Sequence, residues 1–188
     1  MKFYHFPQAA GIDTLTLAEA EIPRPARGEV LVRMHAASLN YRDLMVASGN
    51  YGRGAAPANL VPLSDGAGEV VETGAGVTRV KTGDRVAGMF MQSWQGGEIS
   101  PEDPASSMGG AIDGVLSEYK LFDQHGLVHL PKHLSYEEGS VELGVPRRTP
   151  PLAHPRSDSH DPCFHPRSWS WPTRLAARRG CGGSGQPT

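Results

Sequence analysis

This chain of 188 residues has few cysteines, no long apolar run and little excess of one charge over the other. Only two Cys are present, which excludes a disulfide-stapled secreted scaffold and favours a cytoplasmic location. No stretch approaches the ~20 apolar residues of a membrane span, and the start of the chain lacks the apolar segment of a secretory signal. With 18 Lys+Arg against 20 Asp+Glu, the net charge of -2 argues against a dedicated nucleic-acid binder.

Lysine is missing from the last quarter of the chain, where the composition changes. Residues 141–188 hold seven Arg, no Lys, both Cys and eight of the 16 Pro. This density of proline forbids a long helix or a central strand, and the apolar residues follow neither a period of 2 nor one of 3.6. We therefore expect a folded domain at residues 1–139, followed by a disordered or irregular, Pro/Arg-rich tail at residues 140–188.

Three patterns in the tail resemble functional motifs without having their context. Residues 180–185 match G-x-G-x-x-G, but no strand precedes them and three residues follow, which argues against a phosphate site. The His and Cys around Cys163 lack a known zinc spacing, and the Arg residues around Trp169 and Trp171 form too short a segment to predict nucleic-acid binding. An out-of-frame reading of a GC-rich gene would explain the tail, and an uninterrupted frame encoding it would contradict that hypothesis.

Short apolar runs separated by glycine turns predict a mainly β domain in the first part. The clearest strand is EVLVRMHAAS, in which Val30, Val32 and Met34 alternate with more outward residues such as Leu31 and His35. His35 is interpreted as a solvated strand histidine. Further strands are predicted at residues 1–6, 14–20, 67–73 and 84–90 and in the segments GVLSEYKLF and GLVHLP. Together they predict a small, partly open β-barrel.

One or two short helices are predicted beside these strands. Ser38 or Asn40 can cap the start of the first helix, and Gly49 can end it. Ser135 and Glu138 form a capping box that should begin the second. A long polar loop at residues 92–110 contains Trp94, a candidate pocket-lining residue.

The segments PRPARGEVLVRMHAASLNYRDLM, PLSDGAGEVVETGAGVTRVKTGDRVAG and GVLSEYKLF occur in this order within residues 1–140. This series resembles the N-terminal GroES-like domain of the medium-chain dehydrogenases/reductases, a family of zinc alcohol dehydrogenases, quinone oxidoreductases and enoyl reductases. The resemblance implies a GroES-like fold, an NAD(P)(H) cofactor and a small carbonyl, enone or quinone substrate. It implies no nucleic-acid or membrane partner.

Members of the family with catalytic zinc carry a Cys shortly before an Asp, and a Gly-His-Glu motif. In this chain Asn40 precedes Asp43, and Leu63-Ser64-Asp65 aligns with the second motif. Zinc prefers thiolate and imidazole ligands, so Asn40 and Ser64 are poor substitutes. The 92–110 loop also lacks the four Cys of the structural zinc site. We therefore expect no bound metal.

The resemblance places Asn40 and Tyr41 in the wall of the substrate and cofactor pocket. Ser64 and Asp65 occupy the positions of a motif that lines the same pocket, and Asp43 either holds the helix start or joins this wall. Tyr51 resembles a tyrosine that donates a proton in some enoyl reductases. For Asn40 and Asp43 the alternative is simple helix capping, and for Tyr51 it is an ordinary packed ring.

These observations predict the substrate-side domain of an NAD(P)-dependent oxidoreductase of the alcohol dehydrogenase/quinone reductase type, zinc-independent and truncated. The chain alone is expected to be inactive, because no strand–Gly-rich turn–helix unit for the cofactor is predicted in it. The alternative is a standalone β-barrel module that binds a partner or small molecule through the 92–110 loop and Trp94, without catalysis.

Overall fold

Antiparallel strands and the loops between them make up most of the described part of the chain, residues 1–51 and 56–142 of the computed structural model. The elements are β1 (Lys2–His5), β2 (Thr16–Glu19), β3 (Glu29–Ser38), α1 (Tyr41–Ala47), β4 (Asp65–Thr73), β5 (Arg85–Gly88), β6 (Tyr119–Asp123), β7 (Leu127–His129) and α2 (Tyr136–Glu142). Single 3-10 turns lie at Ile12–Thr14, Asp103–Ser106 and Gln124–Gly126. The expectations for the tail from residue 143 onward lie outside the described residues.

The strands form two open sheets. The strands predicted at residues 1–6 and 14–20 correspond to β1 and β2, which pair antiparallel, and the other five strands have the order β6-β3-β4-β5-β7. All neighbouring pairs in the larger sheet are antiparallel, with β6 and β7 at its edges. This confirms the predicted mainly β architecture with two short helices.

The core lies along the centre of the larger sheet, where β3 and β4 pair. Its members are mostly β-branched or aromatic, as suits a pleated surface: Val30, Val32, Leu63, Val70, Val80, Val86, Met108, Val115, Phe122 and Leu127. Strands β3, β4, β5 and β6 contribute half of them, and the others come from β7 and the connecting segments. The core therefore joins segments that are as much as 97 residues apart in sequence (Val30 to Leu127).

Strand β3 departs from the predicted alternation in its first half. Val30 and Val32 are buried as expected, but Leu31, assigned to the outward face, is only 3% exposed. A register irregularity between Leu31 and Val32 interrupts the pairing with β4. The alternation of exposed and less exposed residues begins only at Arg33. The expectation for Leu31 was therefore wrong, because a bulge in a central strand shifts the side chains relative to the pleat.

Helix α2 packs on β3 and β4. Its predicted capping box is confirmed: the Ser135 hydroxyl accepts from the Glu138 N–H at 3.2 Å, and Glu138 Oε2 accepts from the Ser135 N–H at 2.8 Å. The Tyr136 ring stacks on His35, with ring centroids 4.4 Å apart, and the Arg85 guanidinium lies over Tyr136 at 4.5 Å. His35 thus anchors the helix, although its side chain is on an exposed position of the strand.

Both helices in the described residues have seven residues. Within that part of the chain, no helix is long and apolar enough to cross a membrane.

Candidate functional site

Helix α1 follows directly from the end of β3 and places the candidate residues Asn40, Tyr41 and Asp43 together. Asn40 lies in extended conformation as the N-cap residue, and Asp43 Oδ2 accepts a hydrogen bond from the Asn40 N–H at 2.7 Å. This contact satisfies one of the backbone donors that a helix start leaves without a partner. Asp43 therefore holds the helix start, which is the first of the two roles predicted for it.

The segment that leads into β4 contains Ser64 and ends at Asp65, which lies beside Asn40. Leu63 has the unusual φ of +69°, which turns the chain into β4. Gly109 and Gly114 pack against the Leu63 backbone so closely that a Cβ at either would lie within 2.6 Å of the Leu63 oxygen. Ser64 and Asp65 are both buried. The position of Asp65 thus depends on close backbone contacts around Leu63.

Asn40 and Asp65 are joined by a short hydrogen bond. Asn40 Nδ2 donates to Asp65 Oδ2 at 2.6 Å, although the residues are 25 positions apart in sequence. The bond to a buried carboxylate fixes the orientation of the amide. It also leaves the second N–H of the amide for another acceptor. Asn40, Asp43 and Asp65 therefore form one polar cluster at the start of α1.

Asp43 is the electrostatically perturbed member of this cluster. Burial raises the pKa of its carboxyl group, partly offset by the hydrogen bond from the Asn40 N–H and by the charge of Arg42, while the negative charge of Asp65 adds to the increase. Its Oδ1 atom is buried and has no hydrogen-bond partner among the described residues. An ionised Asp43 is thus held in place at some cost to stability.

Arg42 is a functional candidate that the sequence did not reveal. Its guanidinium lies between two aromatic rings, 4.5 Å from the centroid of Tyr51 and 4.7 Å from that of Phe90. Arg42 Nη1 donates to the Met108 carbonyl at 2.9 Å. Arg42 thereby fixes the Tyr51 ring to the loop around Met108. A cation two residues after the N-cap was the available signal, but its partners are distant in sequence.

An exposed apolar face lies beside the polar cluster. Leu39 is 82% exposed, Tyr41 is 78% exposed and Leu44 is 54% exposed, and all three belong to α1 or the residue before its cap. Tyr51 is 40% exposed. Large apolar side chains that are grouped and exposed in this way are typical of a binding surface. Asn40, Tyr41 and Tyr51 are therefore available to a ligand, whereas Asp43, Ser64 and Asp65 are buried.

The hydrogen bonds of this cluster do not involve Trp94. The 92–110 loop is held by its own polar groups: Asp103 accepts from the Ser93 hydroxyl at 3.0 Å and from the Ser100 N–H at 2.7 Å. The Trp94 indole nitrogen is buried without a hydrogen-bond partner in the part of the chain that the structure describes. Two cavities lined by residues of β1, one of them also by residues of β6, do not include Trp94 among their lining residues.

The donor set of the cluster does not suit zinc. The residues at the two aligned ligand positions are Asn40 and Ser64, an amide and a hydroxyl, and the Asn40 amide is already bonded to Asp65. Zinc sites are built from Cys, His and carboxylate ligands. Among residues 1–51 and 56–142, no group of three or more His, Cys, Asp or Glu side chains could hold a metal ion.

We expect Asp43→Asn to change how the stability of the protein depends on pH. Because burial raises the pKa of Asp43 above 3.8, the folded state binds this proton more tightly than the unfolded state. The contribution of Asp43 to the free energy of unfolding therefore decreases as the pH rises from 3.8 through the raised pKa. The D43N variant does not titrate here, so its thermal midpoint should improve relative to the original protein between pH 4 and pH 7.

Thermal denaturation at the two pH values measures this difference. Asp13→Asn, which removes an exposed carboxylate, controls for the loss of one negative charge. An equal difference between D43N and the original protein at both pH values would contradict the assignment.

Comparisons with known proteins identify the family to which the fold belongs. Residues 26–132 match the model of the alcohol dehydrogenase GroES-like domain. The chain is 38% identical to a zinc-type alcohol dehydrogenase-like protein of Schizosaccharomyces pombe, over 73% of this chain and 40% of that protein. It is 32% identical to a quinone oxidoreductase of Pseudomonas aeruginosa, over 76% of this chain and 37% of that protein.

A solved structure of an NAD-dependent alcohol dehydrogenase has the same fold, with a TM-score of 0.66 and 28% identity over 76% of this chain and 43% of that one. The chain spans about 40% of the length of the curated relatives that it matches. The matched region contains the α1 cluster and the core strands of the larger sheet. The chain therefore belongs to the medium-chain dehydrogenase/reductase family and carries its N-terminal, alcohol dehydrogenase GroES-like domain.

Proposed function

We propose that this protein is the substrate-side domain of an NAD(P)-dependent, zinc-independent oxidoreductase that acts in the cytoplasm on conjugated carbonyl compounds, either enones or quinones. The observation that carries the proposal is the hydrogen bond of 2.6 Å between Asn40 Nδ2 and Asp65 Oδ2. It orients an amide, rather than a metal ligand, at the edge of an exposed apolar face. An oriented N–H donor of this kind stabilises negative charge that develops on a substrate oxygen.

The cofactor is proposed to lie against this face. When bound, NAD(P)H supplies the hydride for reduction of the substrate. The exposed side chains of Leu39 and Tyr41, next to Asn40, suit the flat apolar surface of a nicotinamide ring. The described residues contain no Gly-rich turn between a strand and a helix that could hold the phosphates. Cofactor binding is therefore assigned to a second domain, and the domain of residues 1–139 alone is proposed to be inactive.

Each residue of the candidate site has a distinct proposed role. The second N–H of the Asn40 amide donates to the substrate carbonyl, because the first is held by Asp65. Tyr41 forms the wall of the pocket, and the hydroxyl of Tyr51 donates a proton to the reduced substrate. Asp43 and Arg42 position these groups through the Asn40 N–H and the Tyr51 ring, respectively. Ser64 supports the segment that holds Asp65.

Zinc independence is supported by the donor chemistry rather than by the names of relatives. A zinc ion at this position would have to break the hydrogen bond between Asn40 and Asp65. It would then have the Asn40 amide and the Ser64 hydroxyl as ligands. Both are weak ligands for zinc in comparison with thiolate and imidazole. Negative charge on the substrate oxygen is instead stabilised by hydrogen-bond donors.

The test joins residues 1–139 to the nucleotide-binding part of the Pseudomonas aeruginosa quinone oxidoreductase. We expect the chimera to oxidise NADH or NADPH when a quinone or an enone is supplied. Turnover should survive dialysis against a chelator, and elemental analysis should find well under one zinc per chain. The isolated nucleotide-binding part is the control and should give no turnover.

Two results would contradict the proposal at different points. Loss of turnover after chelation, restored by zinc, would contradict zinc independence. A chimera that is folded by circular dichroism and binds the cofactor, but turns over neither quinones nor enones, would contradict the assigned function.

A further inference from the structure

A cavity of about 290 Å³ lies between β1 and β6. Its walls include apolar side chains from separate segments: Phe3, Ala20, Pro23, Val61 and Leu121. The polar groups in the lining include Asp113 and Lys120. None of these residues takes part in the proposed reduction, so the cavity needs its own explanation.

Lys120 is one of the residues that line this cavity, and its amine lies in unusual surroundings. On β6, Lys120 lies opposite Val32 of β3. Its Nζ donates to the Asp113 main-chain oxygen at 2.7 Å and lies 5.5 Å from the centroid of the Phe122 ring. No carboxylate in the described part of the chain lies within ion-pair distance of Nζ. The ammonium is thus held by a neutral carbonyl in partly apolar surroundings.

Burial lowers the pKa of Lys120 to about 8, and the charge of Asp113 opposes this shift. The other titratable groups that line the cavity are the Met1 amino group, which donates to the Ala20 carbonyl, and Tyr119. At pH 7.5 an amine with a pKa of about 8 is roughly one-quarter neutral, whereas an ordinary lysine is about 0.1% neutral. Only the neutral amine is a nucleophile.

We propose that Lys120 and its cavity form a covalent binding site for small apolar aldehydes. The Nζ lone pair attacks the carbonyl carbon and forms a carbinolamine, which loses water to give an imine between Nζ and the former carbonyl carbon. No oxidant or reductant is needed, and the reaction is reversible. The alkyl chain of the aldehyde packs against Phe3, Pro23 and Leu121, which removes apolar surface from water and favours the bound imine.

The test uses the complete 188-residue chain and the probe hexanal, with cyanoborohydride to trap the imine as a secondary amine. The chain has four lysines, Lys2, Lys81, Lys120 and Lys132, so peptide mapping by mass spectrometry resolves every site together with the Met1 amino group. Lys132 is exposed and serves as the internal control. At pH 7.5 we expect Lys120 to be labelled at least tenfold faster than Lys132.

A comparison with acetaldehyde separates a binding site from a merely reactive amine. Each buried methylene favours binding in an apolar cavity, so the preference for hexanal over acetaldehyde should be at least tenfold larger at Lys120 than at Lys132. The labelling rate at Lys120 should level off near pH 8, while the rate at Lys132 continues to rise. Lys120→Arg should abolish the label in that peptide and leave labelling of Lys132 unchanged.

Three outcomes would overturn the proposal. These are labelling of Lys120 no faster than that of Lys132, equal chain-length preferences at the two sites, or a label that lies on Met1 instead of Lys120. The test does not depend on a cofactor or on reductase activity. Failure here would therefore leave the proposed reductase function intact, and failure of the chimera would leave this proposal intact.

Discussion

Replacing Gly114 with alanine is expected to lower the free energy of unfolding by about 3 kcal/mol or more, and the thermal midpoint by about 10 °C. A Cβ at this position would lie 1.9 Å from the Leu63 oxygen and 2.3 Å from the Pro62 oxygen. Both are backbone atoms and cannot rotate away as a side chain can. Gly114 also donates its N–H to the Val61 carbonyl at 2.7 Å, so the two segments cannot separate without the loss of that bond.

The same substitution at Gly83 is the matched control. Gly83 has a φ of +88°, but a Cβ there would meet no atom within 4 Å. Its replacement by alanine should cost only about 1 kcal/mol, from backbone strain alone. Thermal denaturation of both variants measures the difference. Equal effects would show that the approach of Gly114 to Pro62 and Leu63 does not determine stability.

Local signals in the sequence predicted the elements that local chemistry controls. The capping box of Ser135 and Glu138 identified the start of α2, because its hydrogen bonds join residues three positions apart. Asn40 and Asp43 identified the start of α1 for the same reason. The alternating pattern of β3 identified the strand but not the burial of Leu31, which depends on a bulge opposite β4.

The candidate site depended on contacts that no local signal encodes. The resemblance to a family placed Asn40 and Asp65 near one pocket, but the hydrogen bond between them follows from the turn at Leu63, where φ is +69°. The stacking of Arg42 between Tyr51 and Phe90 joins residues 48 positions apart. A helix pattern marks Arg42 only as a polar position, so its role as the support of Tyr51 required the structure.

In the chimera that carries residues 1–139, Tyr51→Phe is expected to lower kcat by ~10²-fold if the hydroxyl donates the proton in the rate-limiting step. The substitution is well suited to this question, because phenylalanine keeps the ring that stacks on the Arg42 guanidinium at 4.5 Å. The variant therefore removes the proton donor while it preserves the packing of the site. KM should change much less than kcat, since the hydroxyl acts on the transition state rather than on substrate binding.

Tyr4→Phe provides the control for the loss of a tyrosine hydroxyl. Tyr4 is 39% exposed, nearly the same as the 40% of Tyr51, but it lies on β1 in the wall of a separate cavity. We expect its kcat to equal that of the unmodified chimera. Stopped-flow measurement of cofactor oxidation, in water and in deuterium oxide, gives the second criterion: a solvent isotope effect should be present in the unmodified chimera and in Tyr4→Phe. Unchanged kcat in Tyr51→Phe would assign Tyr51 to packing against Arg42 and leave the oriented Asn40 amide as the main contribution of this domain to catalysis.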